Sequence, residues 1–315
     1  MKRLLILASI VGAGALAIGV VAQQPPAPAG APPPGGARAG GVPNFPGIDK
    51  IEKVADNLYR IGGGGGNSAV WVRSDGVLLV DTKLSGNGQK LLDLIHSVTN
   101  KPVTHIVNTH THGDHTGSNS FFPAIVEVVT QANTAANMQR MDDFKTEAGK
   151  VGLPDRTFAD RMTLFSGKES VDLYYFGPAH TSGDAFVVFR GVRVMHAGDV
   201  FANKGLALVD DSNGGSGVQY GATIAKAVAG IRNVDRVITG HSEVMKWQDF
   251  VDFGEFNRLY ADFAKKAHAE GKTAEQAAID FRTALPAKFK DYALTGMRGG
   301  SAGNFTTIYA ELGKT

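Results

Sequence analysis

Apolar and polar positions alternate along the chain in a way that separates strands from helices. The stretch "IEKVADNLYRI" reads as a strand, with regular structure beginning near Ile48. "NSAVWVRSDGVLLVDT" holds two β-rich runs, Ser68 to Val72 and Val77 to Val80, joined at Asp75-Gly76, and predicts a hairpin. "GNGQKLLDLIHSV" places Leu91, Leu92, Leu94 and Ile95 at helical spacing. "VTHIVNT" is a buried strand, and "TQANTAANMQRMDDFKTEA" predicts a helix. The runs "VDLYYFG", "AFVVF" and "VRVMHAG" predict strands, "GATIAKAVAGI" a helix and "VDRVITG" a strand. The tail is helical, "FVDFGEFNRLYADFAKKAHAEG" and then "TAEQAAIDFRTAL", with Phe250, Phe253, Phe256 and Tyr260 forming one stripe that packs on the rest. The order of elements, strands first and then helices in each half, suits a pseudo-duplicated sandwich.

The first 47 residues break this pattern. "MKRLLILASIVGAGALAIGVVAQQ" has Lys2 and Arg3, an apolar run and a small-residue ending, which matches a secretory signal cleaved after about Ala22. Residues 23–47 are Pro, Ala and Gly with almost no large apolar side chain, so they cannot offset their ordering entropy and read as a disordered linker. The expected location is therefore periplasmic or secreted, without stable membrane association after cleavage.

Composition narrows the chemistry. The 315 residues carry a formal net charge of +2 and no basic stripe interleaved with aromatics, which gives nucleic-acid binding no support. The partner expected is a small-molecule substrate. There is no cysteine, so disulfides, thiolate ligands and a thiol nucleophile are excluded, as is a lipid-anchored lipoprotein. A serine triad lacks its G-x-S-x-G elbow, although Ser182 and Ser242 lie beside histidines.

Three of the nine histidines and an aspartate crowd into "THTHGDH" at the end of the strand "VTHIVNT". His110 and His112, two apart in extended backbone, point to one side and grip one ion. Gly113 permits a turn, and Asp114 and His115 face elsewhere, toward a second ion. Later runs end in the same way. "GPAHTSGD" presents His180, "MHAGDVF" presents Asp199, and "VITGHSE" presents His241. Loops on rigid strand ends are where a sheet builds a site. His96, His105 and His268 read as structural, Trp71 and Trp247 as packing residues. His196, three residues before Asp199, is a candidate for an orienting role.

HxHxDH followed by a histidine, an aspartate and a final histidine resembles the metallo-β-lactamase superfamily over about Ile48 to Glu243. The resemblance implies an α/β fold, a four-layer αββα sandwich, here with extra C-terminal helices over about 248–315 of a domain spanning 48–315. It implies that His110, His112 and His180 bind a first zinc, that Asp114, His115 and His241 bind a second, and that Asp199 bridges both. Asp81 in "LLVDT" takes the place behind the site that orients a ligand. The cofactor implied is a pair of Zn2+ ions, and iron or manganese is compatible with these donors. The function implied is a dizinc hydrolase in which a zinc-activated water, held near Asp114, attacks a small carbonyl substrate. The missing cysteine ligand points to the lactamase branch with His115 in its shell. Asp199 looks like the bridging carboxylate of glyoxalase II-type thioesterases and lactonases. A β-lactam amide is the leading substrate, a lactone or thioester the alternative, and a non-catalytic zinc-binding protein the reading from another class. "IGGGGGNS" lacks the Lys and Ser/Thr of a phosphate loop, and its glycines Gly62 to Gly66 are expected to form a mobile flap over the site.

Overall fold

The structure, a computed structural model, describes residues 47–295 and 300–313. The signal at 1–22 and the linker at 23–47, Gly47 apart, lie outside the described residues. Two sheets form the frame. The first has seven strands in sequence order: β1 (Ile51–Ala55), β2 (Leu58–Ile61), β3 (Ser68–Val72), β4 (Val77–Val80), β5 (Val103–Val107), β6 (Glu127–Gln131) and β7 (Arg156–Phe158). The second has β8 (Arg161–Leu164), β9 (Val171–Tyr174), β10 (Phe186–Phe189), β11 (Val194–His196), β12 (Arg236–Ile238) and β13 (Met245–Lys246), again neighbours in sequence order. β4 to β7 run parallel, as do β11 and β12, and the other pairings are antiparallel.

Side-chain alternation assembles the layers. In β4, Leu78 and Val80 face the second sheet, while Val77 and Leu79 face outward onto α1 (Gly88–His96). In β10, Val187 and Phe189 join the inter-sheet core with Leu78, Val80 and Val107, while Phe186 and Val188 face outward. That outer face is covered by Ile224 and Ala227 of an 11-residue helix (Tyr220–Gly230) and by Phe250 and Phe253 of a 23-residue helix (Trp247–Ala269). Period-two apolar patterns on both sheets and helical stripes on both flanks therefore give the αββα sandwich. The other helices are short turns at Gly113–Thr116 and Glu147–Lys150, a helix at Ala132–Met138, and two C-terminal helices at Ala274–Ala284 and Gly300–Leu312. Among the described residues, no helix is long and apolar enough to cross a membrane.

Several local expectations change. "IEKVADNLYRI" is a hairpin, because Asp56 and Asn57 make a tight turn in which Asn57 takes φ 59°. The helix expected over "TQANTAANMQRMDDFKTEA" is confined to Ala132–Met138; Gln131 still belongs to β6, and beyond the helix Phe144 turns inward and is buried. The C-terminal extension does not begin at 248. Phe250 and Phe253 belong to the sandwich's outer layer, and only the second half of that helix, with Phe256 and Tyr260, packs on the two C-terminal helices. Trp71 lies in the inter-sheet core against Phe189, and Trp247 packs on Phe250, as expected of packing residues.

Candidate metal centre

Because β9, β11 and β12 run in one direction, their C-terminal ends meet at one edge of the second sheet, where Asp199 and His241 directly follow β11 and β12. Asp81 and the histidine cluster leave the parallel strands β4 and β5 at the facing edge. The backbone bends sharply after each. Asp81 has φ 61°, and His112 stays extended while His115 and Thr116 donate back to its carbonyl at 2.9 and 3.0 Å. That helical turn, rather than a glycine hinge, swings Asp114 and His115 away from His110 and His112. Gly113 has no left-handed φ, and a Cβ there would have 3.9 Å of clearance, so the turn does not require glycine.

The seven predicted ligands come together in two groups. One is His110, His112, His180 and Asp199; the other is Asp114, His115 and His241; within each, the donor atoms lie within 4.8 Å of one another. Asp199 lies between them. Its Oδ1 is 3.2 Å from His115 Nε2, and its Oδ2 is 3.2 Å from His241 Nε2, 3.7 Å from His180 Nε2 and 4.0 Å from His110 Nε2. Asp114 Oδ2 is 3.3 Å from His241 Nε2.

The partners of each ring decide which nitrogen faces inward. Asp81 accepts from Thr109 N–H at 2.8 Å and from Thr109 Oγ1 at 2.7 Å, so Thr109 Oγ1 is left to accept from His110 Nδ1 at 3.0 Å. Asp81 Oδ2 also accepts from His115 Nδ1 at 2.7 Å. Leu208 O accepts from His180 Nδ1 at 2.7 Å, and Asp210 Oδ2 accepts from His112 Nε2 at 2.6 Å. The rings of His110, His112 and His180 thus spend their N–H on the protein and turn a lone pair inward, while His115, with Nδ1 on Asp81, turns Nε2 toward Asp199. His180 Nε2 and His112 Nδ1 face each other at 3.0 Å, and His110 Nε2, His115 Nε2 and Asp199 Oδ1 are buried without a hydrogen bond. Buried orphan acceptors of this kind are costly unless a cation takes them up. The nitrogen and oxygen donor set fits a divalent metal.

Electrostatics separate the two groups. Burial pushes His180 down to about 4 and His110 well below its ordinary value, so both are neutral. His241 is buried too, which disfavours its cation, but the carboxylates of Asp199 and Asp114 outweigh this and raise it to about 9. His115 is raised well above its usual value against its burial by Asp199, Asp114 and Asp81. Asp199, against its own burial, is held well below the usual carboxylate range by His241 and His115.

Asp81 lies behind the rings of His110 and His115, bonded to Thr109 and to His115 Nδ1. His196 is a support: it accepts from Gly198 N–H through Nδ1 at 3.0 Å and meets Asn67 O through Nε2 at 3.0 Å, and burial lowers it to about 4. His105 pairs with Glu127 at 3.4 Å, His268 meets Tyr309 edge-on and His96 is exposed, so none joins the site. Sequence reasoning missed Asp210, Asp184 and Lys83. Asp184 accepts from Thr181 N and Oγ1 at 2.8 and 2.6 Å, which fixes the loop carrying His180; burial raises it to about 7. Lys83 is fully buried and donates to Ile61 O and Gly66 O, both at 2.6 Å.

Lys83 also overturns the mobile flap. Besides its bond to Lys83, the glycine loop is fixed by Gly66 N to Asp114 O at 3.0 Å, Asn67 N to Gly240 O at 2.6 Å and Leu84 N to Gly64 O at 2.9 Å. Gly62, Gly64, Gly65 and Gly66 are buried. The loop is a clamped roof. Beside it opens a cavity of about 800 Å³, lined among others by Arg60, Gly63, Asn67, Asp199, His241 and Asn304. That volume suits a small molecule.

A family model described as "Metallo-beta-lactamase superfamily" matches residues 61–288. The metallo-beta-lactamase IND-1 of Chryseobacterium indologenes is 28% identical over 181 residues, 56% of this chain and 72% of that protein. An uncharacterized Bacillus subtilis protein, YobT, is 27% identical over 139 residues, 41% of this chain and 59% of its own length. Among solved structures, the DIM-1 metallo-beta-lactamase superposes with a TM-score of 0.58 at 17% identity, covering 69% of this chain and 99% of that one. A metallo-beta-lactamase from Pontibacter korlensis gives 0.57 at 18% identity, covering 67% and 99%. The chain belongs to the metallo-β-lactamase superfamily and carries its His/Asp metal site.

Proposed function

We propose that this protein is an exported dizinc hydrolase that opens a small carbonyl substrate, with the amide of a β-lactam ring as the leading candidate. The observation that carries this reading is the convergence of inward-facing imidazole nitrogens on both sides of one carboxylate, Asp199. His110, His112 and His180 would hold the first zinc and Asp114, His115 and His241 the second, with Asp199 between the two groups. Iron or manganese is the alternative occupant.

Ions held there would acidify a water toward neutral pH and place positive charge beside a carbonyl oxygen. The chain supplies the rest. Asp114 is aimed between the groups by His241, where it orients the attacking water and receives its proton. Asp81 and Thr109 keep His115 and His110 in the tautomers that present Nε2. The clamped glycine loop and the cavity wall exclude bulk water from one side of the substrate.

The position of Asp199 between both groups favours a second reading, a lactonase or glyoxalase II-like thioesterase. Export, read from residues 1–22, suits a β-lactam or a lactone better than an intracellular thioester. Purified zinc-loaded protein tested on nitrocefin, a lactone series and a thioester series decides among them. Turnover that is lost with EDTA and restored by zinc is expected. Full activity in rigorously metal-free protein would sink the mechanism, and two bound zincs without turnover of any substrate would support a binding role instead. Amino-terminal analysis of the mature protein from a periplasmic fraction tests export, with a start near Gln23 expected.

A further inference from the structure

The segment from Leu206 to Val218 holds two of the three histidines of the first group, through Leu208 O on His180 and Asp210 on His112. On one side the sandwich fixes this strip, with Asp210 N donating to His180 O at 2.9 Å and Ser216 N to Ala179 O at 2.9 Å. On the other side lies the helix Gly300–Leu312, beyond the family match. Asn304 Nδ2 donates to Ala207 O at 2.7 Å. Glu311 accepts from Ser216 Oγ and, at 3.1 Å, from Val218 N. Ile308 presses so close that a Cβ on Gly217 would lie 2.6 Å from its Cγ1. The chain ahead of the helix adds Leu206 N to Ala293 O at 2.9 Å.

A helix that only covered the fold would present apolar side chains, as the helix Tyr220–Gly230 does to its sheet. Phe305 and Ile308 do pack in the C-terminal apolar cluster. Asn304 and Glu311, seven residues apart and so on one helix face, instead spend polar groups on the backbone of the strip. Asn304 is buried and also lines the cavity that reaches Asp199 and His241, together with Thr295.

We propose that the C-terminal helix is a working part of the metal site. Asn304 and Glu311 are positioning residues that hold the Leu206–Val218 strip, and through Leu208 and Asp210 they keep the rings of His180 and His112 in register for metal. Asn304 and Thr295 also line the cavity, so this part of the chain bears on both ring geometry and the room left for substrate. The inference rests on the metal reading of the site but not on the identity of the substrate.

The test uses the full-length protein. Zinc affinity is read by competition with a chromophoric chelator, and the cobalt form by its visible absorption. Removing a group that orients a metal ligand weakens affinity ten- to a hundred-fold, and one bond further out Glu311→Ala is expected to cost about ten-fold. Its cobalt spectrum should shift. Glu311→Gln, which keeps an oxygen for Val218 N–H and a polar group for Ser216, is expected to restore most of the affinity. Asn304→Ala removes one hydrogen bond and decides the matter if Glu311→Ala does not fold. Folded variants with a lowered melting temperature but unchanged zinc affinity and cobalt spectrum would make the helix a packing element and overturn the inference. A parent protein that takes up no divalent ion overturns this inference and the metal reading together. A metal-loaded parent that turns over no substrate overturns only the hydrolase reading and leaves the chelator result to decide this one.

Discussion

Gly66 lies against His115 so closely that a Cβ built on it would sit 2.1 Å from Cε1 of the imidazole. The glycine loop is therefore shaped by the ligand beneath it. Its residue 66 lacks a side chain to make room for a ring that Asp81 holds through Nδ1. Gly66 does not have a left-handed φ, so alanine there is strained by contact alone.

Gly66→Ala should consequently displace His115 while leaving the first group of ligands in place. Metal analysis of the folded variant is expected to give about one tightly held ion per chain, with affinity for the second reduced by ten-fold or more, as expected when the orientation of a ligand is lost. Two ions held as tightly as in the parent would show that the loop accommodates the methyl group by shifting.

Asp210 is the partner of His112, at 2.6 Å, and is itself held by Ser212 and Asn213. Despite partial burial, which works the other way, these donors keep its carboxyl well below the usual range, so it is ionised at every working pH. Asp210→Asn keeps an acceptor but removes the charge, and Asp210→Ala removes both. Metal affinity at the first group should fall in that order, by roughly ten-fold and then toward a hundred-fold, with circular dichroism unchanged. Equal affinities in all three proteins would separate His112 orientation from metal binding.

Asp210 also marks the limit of what the chain's pattern disclosed. The seven residues of the two groups were legible because each follows a β-rich run within a few residues or sits within one dense cluster, so local order carried the information. Asp210 follows no strand, and its partner lies 98 residues upstream, so only the folded chain brings them together. Lys83 was hidden for a related reason: its place depends on a left-handed backbone at residue 83, φ 71°, just after β4. β4, β10 and β11 were readable because both faces are buried, whereas β6, equally buried, was missed because its last residues were read into the following helix. β7 and β8 were not readable, since exposed Arg156 and Arg161 interrupt any apolar alternation. The helix expected over residues 130–148 was overextended because its polar, alanine-containing sequence favours helix locally, while burial of Phe144 required the chain to leave that path.

Lys83 provides a pH test of the clamp. Burial lowers its folded value from 10.5 to about 7, outweighing the pull of Asp81. A base depressed on folding binds fewer protons in the folded state between those values, so it contributes a stability that rises with pH from about 7 to about 10.5. Below about 7 both states are charged and the contribution is flat. The stability difference between parent and Lys83→Met, from denaturant melts under one metal condition, should therefore move in the parent's favour as pH rises through this window. A difference independent of pH would mean that Lys83 remains charged in the fold.

The two ligand groups should also differ in how metal binding depends on pH. In the first group, His110 and His180 are already neutral, since burial holds His180 at about 4 and His110 well below its ordinary value. In the second, His241 at about 9 and the raised His115 are cations, balanced by Asp199 and Asp114. Imidazole must lose its proton to bind metal, so filling the second group releases protons while filling the first through His110 and His180 does not. Affinity for the second ion should weaken steadily as pH falls from about 9, whereas His110 and His180 impose no such loss on the first. Without metal, the raised His241 stabilises the fold fully below its unfolded value near 6.5, and that contribution is lost as pH rises through about 9. Titration calorimetry of stepwise metal binding near neutral pH, in buffers of different ionisation enthalpy, counts the protons directly. About two released with the second ion and none from His110 or His180 with the first is the expected result; equal release in both steps would refute the assignment of the charged histidines to the second group.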